Sequence, residues 1–203
     1  MGYFLMIAMG YLLGSSSMTY YLGKLKNIDV RNHGTGNLGA SNAAVTMGWG
    51  AAVLVAVHDI GKGLVAVWLA KFFFPELALV GELTGVACVM GHMYPFYLGF
   101  KGGKGLASFI GVTGGLHFPL AWAAGALLIA VTILSDYIAL GTLSVVVAVP
   151  VALWLLTGDF VGPGVLLIAS AVMAWKHRDN IKRILAGEEI GLRRTMKGKD
   201  RVK

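Results

Sequence analysis

Lysine and arginine are missing from the whole stretch between Gly105 and Trp175, where Asp136 and Asp159 are the sole charges. So long a segment with so little charge cannot coat a water-facing surface, and it reads as membrane helices joined by very short loops. The chain as a whole is poor in charge: 13% of its 203 residues are Asp, Glu, Lys or Arg, about half the share of a soluble domain. Cysteine occurs once, as Cys88, which excludes an intrachain disulfide framework and a cysteine metal site and leaves the redox compartment open. No other metal-ligand set stands in the sequence, so neither a metal nor a cofactor is expected. The net charge of +7 does not point to nucleic acid, because the basic residues are scattered between apolar runs and form no continuous basic face.

What is abundant is apolar sequence, 57% of the chain, together with 29 glycines. A helical span needs about 20 apolar residues, so this length allows roughly five to eight spans and no separate soluble domain. Residues 1–190 read as a single polytopic membrane domain and 191–203 as a basic cytoplasmic tail suited to anionic lipid. The run Met1 to Leu13 lacks a basic n-region and no convincing cleavage site follows it, so it reads as a retained first helix. Basic residues cluster at Lys24, Lys26 and Arg31, at Lys101 and Lys104, and between Lys176 and Lys203; the positive-inside rule places all three clusters in the cytoplasm. The sequence therefore predicts an all-α integral membrane protein with about seven transmembrane helices, N-terminus outside and C-terminus cytoplasmic. The spans run over 2–22, 43–74, 77–98, 104–116, 118–135, 138–157 and 160–176. The 43–74 run is longer than a bilayer needs and should tilt, protrude or break near Gly61. Five spans remain the alternative if 104–135 is one bent helix and a later piece fails to cross.

Three polar islands then face the same side. The first holds GSSS at 14–17 and DVRNHGTGNLGASN at 29–42, where glycines alternate with His33, Asn37 and Asn42 and Arg31 supplies a planar fork for phosphate or carboxylate; Ser41 or Asn42 could equally cap a helix there. Asp59 and Lys62, three apart inside an apolar run, share a helix face and can pair. Charges at that depth are costly and tend to face a partner or a cavity. The second island, GHMYPFYLGFKGGKG at 91–105, sets Lys101 and Lys104 among Gly102, Gly103 and Gly105 at a helix start, a prospective phosphate site that lacks the GxxxxGK[ST] pattern. The third, WKHRDNIKRILAGEE at 175–189, puts His177 and Asn180 on one helical face.

Five motifs in order carry a resemblance that covers nearly the whole chain. They are GS at 14–15, the run from Asp29 to Asn42, Asp-x-x-Lys-Gly at 59–63, His-x-x-Pro-Phe through Lys-Gly-Gly-Lys-Gly at 92–105, and His-Arg-x-Asn-Ile-x-Arg followed by Gly-x-Glu at 177–189. Together they resemble the bacterial acyl-phosphate-dependent glycerol-3-phosphate acyltransferase family. The resemblance implies acyl transfer from acyl phosphate to the sn-1 hydroxyl of glycerol 3-phosphate, giving lysophosphatidic acid and phosphate without a covalent acyl-enzyme. It also implies the bacterial plasma (inner) membrane, an active site facing the cytoplasm, an early place in phospholipid synthesis, and a functional link to an acyl-phosphate-forming enzyme. Carried over by residue, it makes His177, Asn180, Ser15 and Arg31 catalytic. Lys101, Gly102, Gly103, Lys104, Gly105, Asn37, His33, Asn42, Lys62 and Asp59 would bind substrate or phosphate, and Glu189 would be structural. The chain departs from the family after Ser15, with Ser16, Ser17, Met18 and Thr19 in place of Ile-Pro-Phe-Gly, so which of the three serines faces the site stays open. His177 is the candidate base, with an ordinary pKa of about 6.5; a substrate phosphate oxygen is the alternative proton acceptor. A small-anion transporter would use similar residues but should show matching halves or a polar path to both faces, and the 105–175 block has neither.

Overall fold

Helices follow the apolar runs closely wherever those runs are strongly punctuated. The computed structural model describes residues 1–197, and all regular structure among them is helical. In chain order the helices are α1 (Gly2–Ser15), α2 (Met18–Leu25), α3 (Ala40–Met47), α4 (Trp49–Phe73), α5 (Val80–Met93), α6 (Leu106–Leu116), α7 (Phe118–Ser135), α8 (Ile138–Thr157), α9 (Val161–Lys176), α10 (Arg178–Leu185) and α11 (Leu192–Met196). Single 3₁₀ turns occupy Val30–Asn32 and Phe96–Leu98. Between α6 and α7 the extended His117 turns the chain, and its ring accepts the Leu120 amide. The bent-helix alternative over 104–135 therefore gives way to two helices that pack on each other.

Three expected boundaries are corrected. The first helix does not run to residue 22 but stops at Ser15. Ser16 leaves helical geometry, and Ser17 caps α2 by accepting the Tyr20 amide at 3.3 Å, the competition with the backbone that serine favours at helix ends. The long run 43–74 breaks at Gly48 and not near Gly61. Gly48 holds φ 90°, a region that costs a side-chain-bearing residue dearly, whereas α4 passes through Gly61 without interruption. Neither Ser41 nor Asn42 caps α3, whose N-cap is Gly39 with no side-chain bond.

Among the described residues, α4, α7 and α8 are long and apolar enough to cross a membrane, while α6 and α9 are shorter apolar helices. Large apolar side chains such as Leu54 and Val57 on α4 and Trp122, Ile129 and Ile133 on α7 are exposed, as a lipid-facing surface requires and a water-facing one avoids. The core joins α5, α6, α8 and α9 through Val89, Met93, Phe109, Val112, Val145, Val149, Leu166 and Met173. Two helix pairs approach to backbone distance: a methyl on Gly14 would lie 1.9 Å from the Cys88 carbonyl oxygen, and one on Gly111 would lie 2.0 Å from that of Ile60. Small residues at such crossings let helices associate in lipid by close packing.

Candidate active site

The polar islands converge on a pocket of about 340 Å³. Its polar lining includes Thr35 and Asn37, Asp59 and His92, and Lys104, His177, Asn180 and Glu189. Its apolar lining includes Trp49, Ala52 and Val53 from α4 and Ile138 and Ala139 from the start of α8. One cavity thus offers a lysine, hydrogen-bonding groups and apolar surface together, the combination an amphiphilic anion needs.

Each side chain is held by local geometry. The 30–42 loop is folded around Asn42, whose Oδ1 accepts the Thr35 amide at 2.9 Å and whose Nδ2 donates to the His33 and Val30 carbonyls at 3.1 and 3.3 Å. Asn42 is thereby a buried clamp that presents Thr35 and Asn37. His177, buried between α9 and α10, donates Nδ1–H to the Met173 carbonyl at 2.8 Å. A carbonyl can only accept, so the neutral ring carries its free lone pair on Nε2. Burial pushes His177 down to about 4, so the ring is neutral at physiological pH and able to take a proton. Lys104 donates to Asn180 Oδ1, Asn180 Nδ2 donates to Glu189 Oε1, and Glu189 Oε2 accepts from Arg183 Nε at 2.6 Å. This chain fixes the Asn180 amide and ties Glu189 across the rim. Burial also pushes Lys104 down to about 8, against the attraction of Glu189. Gly105, Leu106 and Ala107 line the pocket where the first α6 amides have no partner within the helix, a favourable place for an anion.

A network of buried charge runs back from the pocket wall at Asp59 and His92. Asp59 pairs with Lys62 at 2.8 Å, as their spacing predicts, and accepts from His58 Nδ1 at 3.1 Å. The Lys62 ammonium also donates to the Ser16 carbonyl at 2.7 Å and to His92 Nδ1 at 2.9 Å. His92 Nε2 must then carry the ring's hydrogen, beside the 102–103 backbone. Ser16 Oγ bonds His58 Nε2 at 2.9 Å, so of the three serines it is Ser16 that joins this network. Ser15 is buried, donating to the Tyr11 carbonyl at 2.8 Å.

Several residues singled out from sequence stand elsewhere. Arg31 is held by Asp29 through Nε–Oδ1 and Nη2–Oδ2 bonds of 2.9 Å, which keep the Asp29 carboxyl below its usual range; together they line a second cavity with Tyr20 and Lys24. Ser15, His33 and Lys101 do not line the main pocket. The amides of Gly102 and Gly103, expected to be open to an anion, donate instead to the Met93 and His92 carbonyls at 3.2 and 3.1 Å. Glycine is needed at 103 because a methyl there would lie 2.0 Å from His92 Nε2. His92 itself was missed as a pocket residue; its signal was a buried histidine three before a helix-ending proline. The apolar wall on α8 left no signal, since Ile138 and Ala139 read as ordinary lipid-embedded residues. Among the described residues no cluster of three His, Cys, Asp or Glu is placed to hold a metal ion.

The profile of the family described as "Glycerol-3-phosphate acyltransferase" matches residues 4–187. A glycerol-3-phosphate acyltransferase of Synechococcus sp. (strain CC9902) is 40% identical over 186 residues, covering 91% of this chain and 92% of that protein. One from Shouchella clausii is 38% identical over 192 residues, covering 90% and 92%. The crystal structure of PlsY, an integral membrane glycerol 3-phosphate acyltransferase, in its glycerol 3-phosphate form superimposes with a TM-score of 0.88 at 31% identity, covering 95% of this chain and 96% of that one. Its lysophosphatidic acid form gives a TM-score of 0.86 at 30% identity, covering 94% and 95%.

Proposed function

This chain belongs to the glycerol-3-phosphate acyltransferase family, and from that premise we propose that it moves a fatty acyl group from acyl phosphate to the sn-1 hydroxyl of glycerol 3-phosphate without a covalent acyl-enzyme. The observation that carries the reading is the mixed lining of the pocket, in which Lys104, His177 and Asn180 share the same space of about 340 Å³ with the apolar α4 and α8 residues. Lys104 and the first amides of α6 hold phosphate, with Asn37 and Thr35 orienting it from the loop. The glycerol hydroxyl oxygen attacks the acyl carbon, its proton passes to His177 Nε2, and the bond from the acyl carbon to the phosphate oxygen breaks as inorganic phosphate leaves with the electron pair. The donor is already activated, so the protein's part is to orient two anions and stabilise developing charge. Arriving phosphates raise the basicity of His177 by their negative charge. A phosphate oxygen of the substrate is the alternative acceptor.

The same reading gives about seven spans with the N-terminus outside, and it sets the pocket toward the cytoplasm of the bacterial plasma membrane. There the basic residues of α10 and Lys104 meet, and an acyl-phosphate-forming enzyme must supply the donor. Purified protein in detergent, given glycerol 3-phosphate with acyl phosphate, acyl-CoA or acyl carrier protein in turn, is expected to form lysophosphatidic acid from acyl phosphate alone. Product from either thioester, or a protein mass raised by one acyl group after incubation with the donor only, would overturn the assignment.

Lys104 also gives a pH dependence. Its ammonium is charged below about 8 and neutral above, so phosphate affinity is present at pH 7 and lost as pH rises through that value. The ratio kcat/KM, which reports groups of the free enzyme, should fall with rising pH above about 8. In Lys104→Arg, whose guanidinium stays charged, that limb should disappear.

A further inference from the structure

Beyond the stretch matched by the family profile, the chain returns to the pocket. Ile190 and Leu192 line it together with Trp49 and Val53 of α4 and Ile138 and Ala139 of α8. Gly191 is buried and Ile190 and Leu192 are half-buried, while α11 itself has no fully buried residue. Asp136, at the turn between α7 and α8, holds the segment by its backbone. The Asp136 carbonyl accepts the Leu192 amide at 2.8 Å, and Oδ1 accepts the Arg193 amide at 2.9 Å. Asp136 adopts φ 71°, a left-handed conformation that only glycine, asparagine and aspartate visit readily. Gly191 lies so close that a methyl there would sit 2.1 Å from Asp136 Oδ2. At its other end the segment is fixed by Glu189 to Asn180 and Arg183. The segment is thus pinned at Asn180 and Arg183 and again at Asp136.

We propose that residues 190–195 form a strap closing the apolar side of the pocket over the alkyl chain of the substrate, and that Asp136 is the positioning residue that latches it. This rests on reading that side as an acyl-chain site. The strap adds apolar surface from Ile190 and Leu192 to that of α4 and α8, so it sets how firmly long chains are held while the phosphate-binding groups stay as they are. Aspartate at 136, in a block with a single other charge, thereby acquires a use that its own helices do not give it.

The test is binding of hexadecyl phosphate and butyl phosphate to the purified full chain by calorimetry, with kcat and KM measured alongside. Asp136→Gly removes the Oδ1 acceptor while suiting the backbone angle, Gly191→Ala pushes the strap off its latch, and Asp136→Asn keeps both the acceptor and the angle. Asp136→Gly and Gly191→Ala should each weaken hexadecyl phosphate about tenfold, the loss of contact with one or two methylenes, and leave butyl phosphate unchanged. Asp136→Asn should match the unaltered protein. Equal weakening of both probes, no weakening of either, or failure of asparagine to restore binding would overturn the strap. A long-chain probe bound no more tightly than the short one by the unaltered protein would overturn the strap together with the acyl-chain reading. Because these probes are not acyl donors, the expected binding pattern without transfer from acyl phosphate would refute the donor assignment and uphold the strap.

Discussion

Replacing His177 by Ala is expected to lower kcat by roughly two to four orders of magnitude, the usual contribution of a positioned general base. The ring is buried at 4% exposure, pinned through Nδ1 to the Met173 carbonyl, and turned so that Nε2 is the atom left to accept a proton. Its lowered basicity ensures that it is unprotonated before substrate arrives, at the cost of driving force that the incoming phosphates restore. KM for glycerol 3-phosphate should change far less than kcat, because the base works in the transition state and the cations carry ground-state affinity. Near-normal turnover in His177→Ala would move the proton to a substrate phosphate oxygen and leave His177 an orienting role.

The second large effect concerns stability. Asp59 and Lys62 are 2% and 7% exposed and lie mid-helix in α4. Lys62→Ala removes the cation that pairs Asp59 at 2.8 Å and also binds the Ser16 carbonyl and His92. Removing one partner of a buried ion pair costs about 3–5 kcal/mol. His58 still donates to Asp59 at 3.1 Å, so Lys62→Ala should lose stability toward the lower end of that range, read as a drop in its thermal unfolding midpoint in detergent. Combining Asp59→Leu with Lys62→Met should recover most of the loss, since apolar replacement of a whole buried pair is often neutral. A double variant no more stable than the single one would show that the network is held by something other than charge compensation.

Much of the helical scaffold was legible because apolar runs bounded by His117, Asp136 and Gly158 leave few alternatives. What hydropathy could not resolve was which glycine or serine breaks a helix. Gly48 and Gly61 look alike as letters, and only the backbone angle at Gly48 tells them apart. The candidate site divides in the same way. Lys104, His177, Asn180, Asn37 and Glu189 come from islands far apart in sequence and face one cavity. Arg31 was attractive as a phosphate fork, but Asp29 two residues earlier occupies that fork with both oxygens, a local pairing that a reading by motif passes over. The glycines at 102 and 103 read in the sequence as open amides, whereas their lack of side chains serves to admit His92. The apolar wall is made of residues that any membrane helix would contain, so no pattern marks it.

Helices α1, α6 and α9, with 14, 11 and 16 residues, reach about 21, 17 and 24 Å at 1.5 Å per residue, well short of a hydrocarbon thickness of about 30 Å. One end of each lies beside the reaction cavity: Ser16 binds Lys62, Leu106 lines the wall, and His177 follows Lys176. If these helices span, as proposed, thinning of the lipid around such a rim would cost a fraction of a kcal/mol per ångström. On the proposed function a fatty tail would then enter sideways within the monolayer, while the water-soluble reactant descends from the aqueous side. That route would spare the tail its exposure to water, at about 0.8 kcal/mol for every methylene.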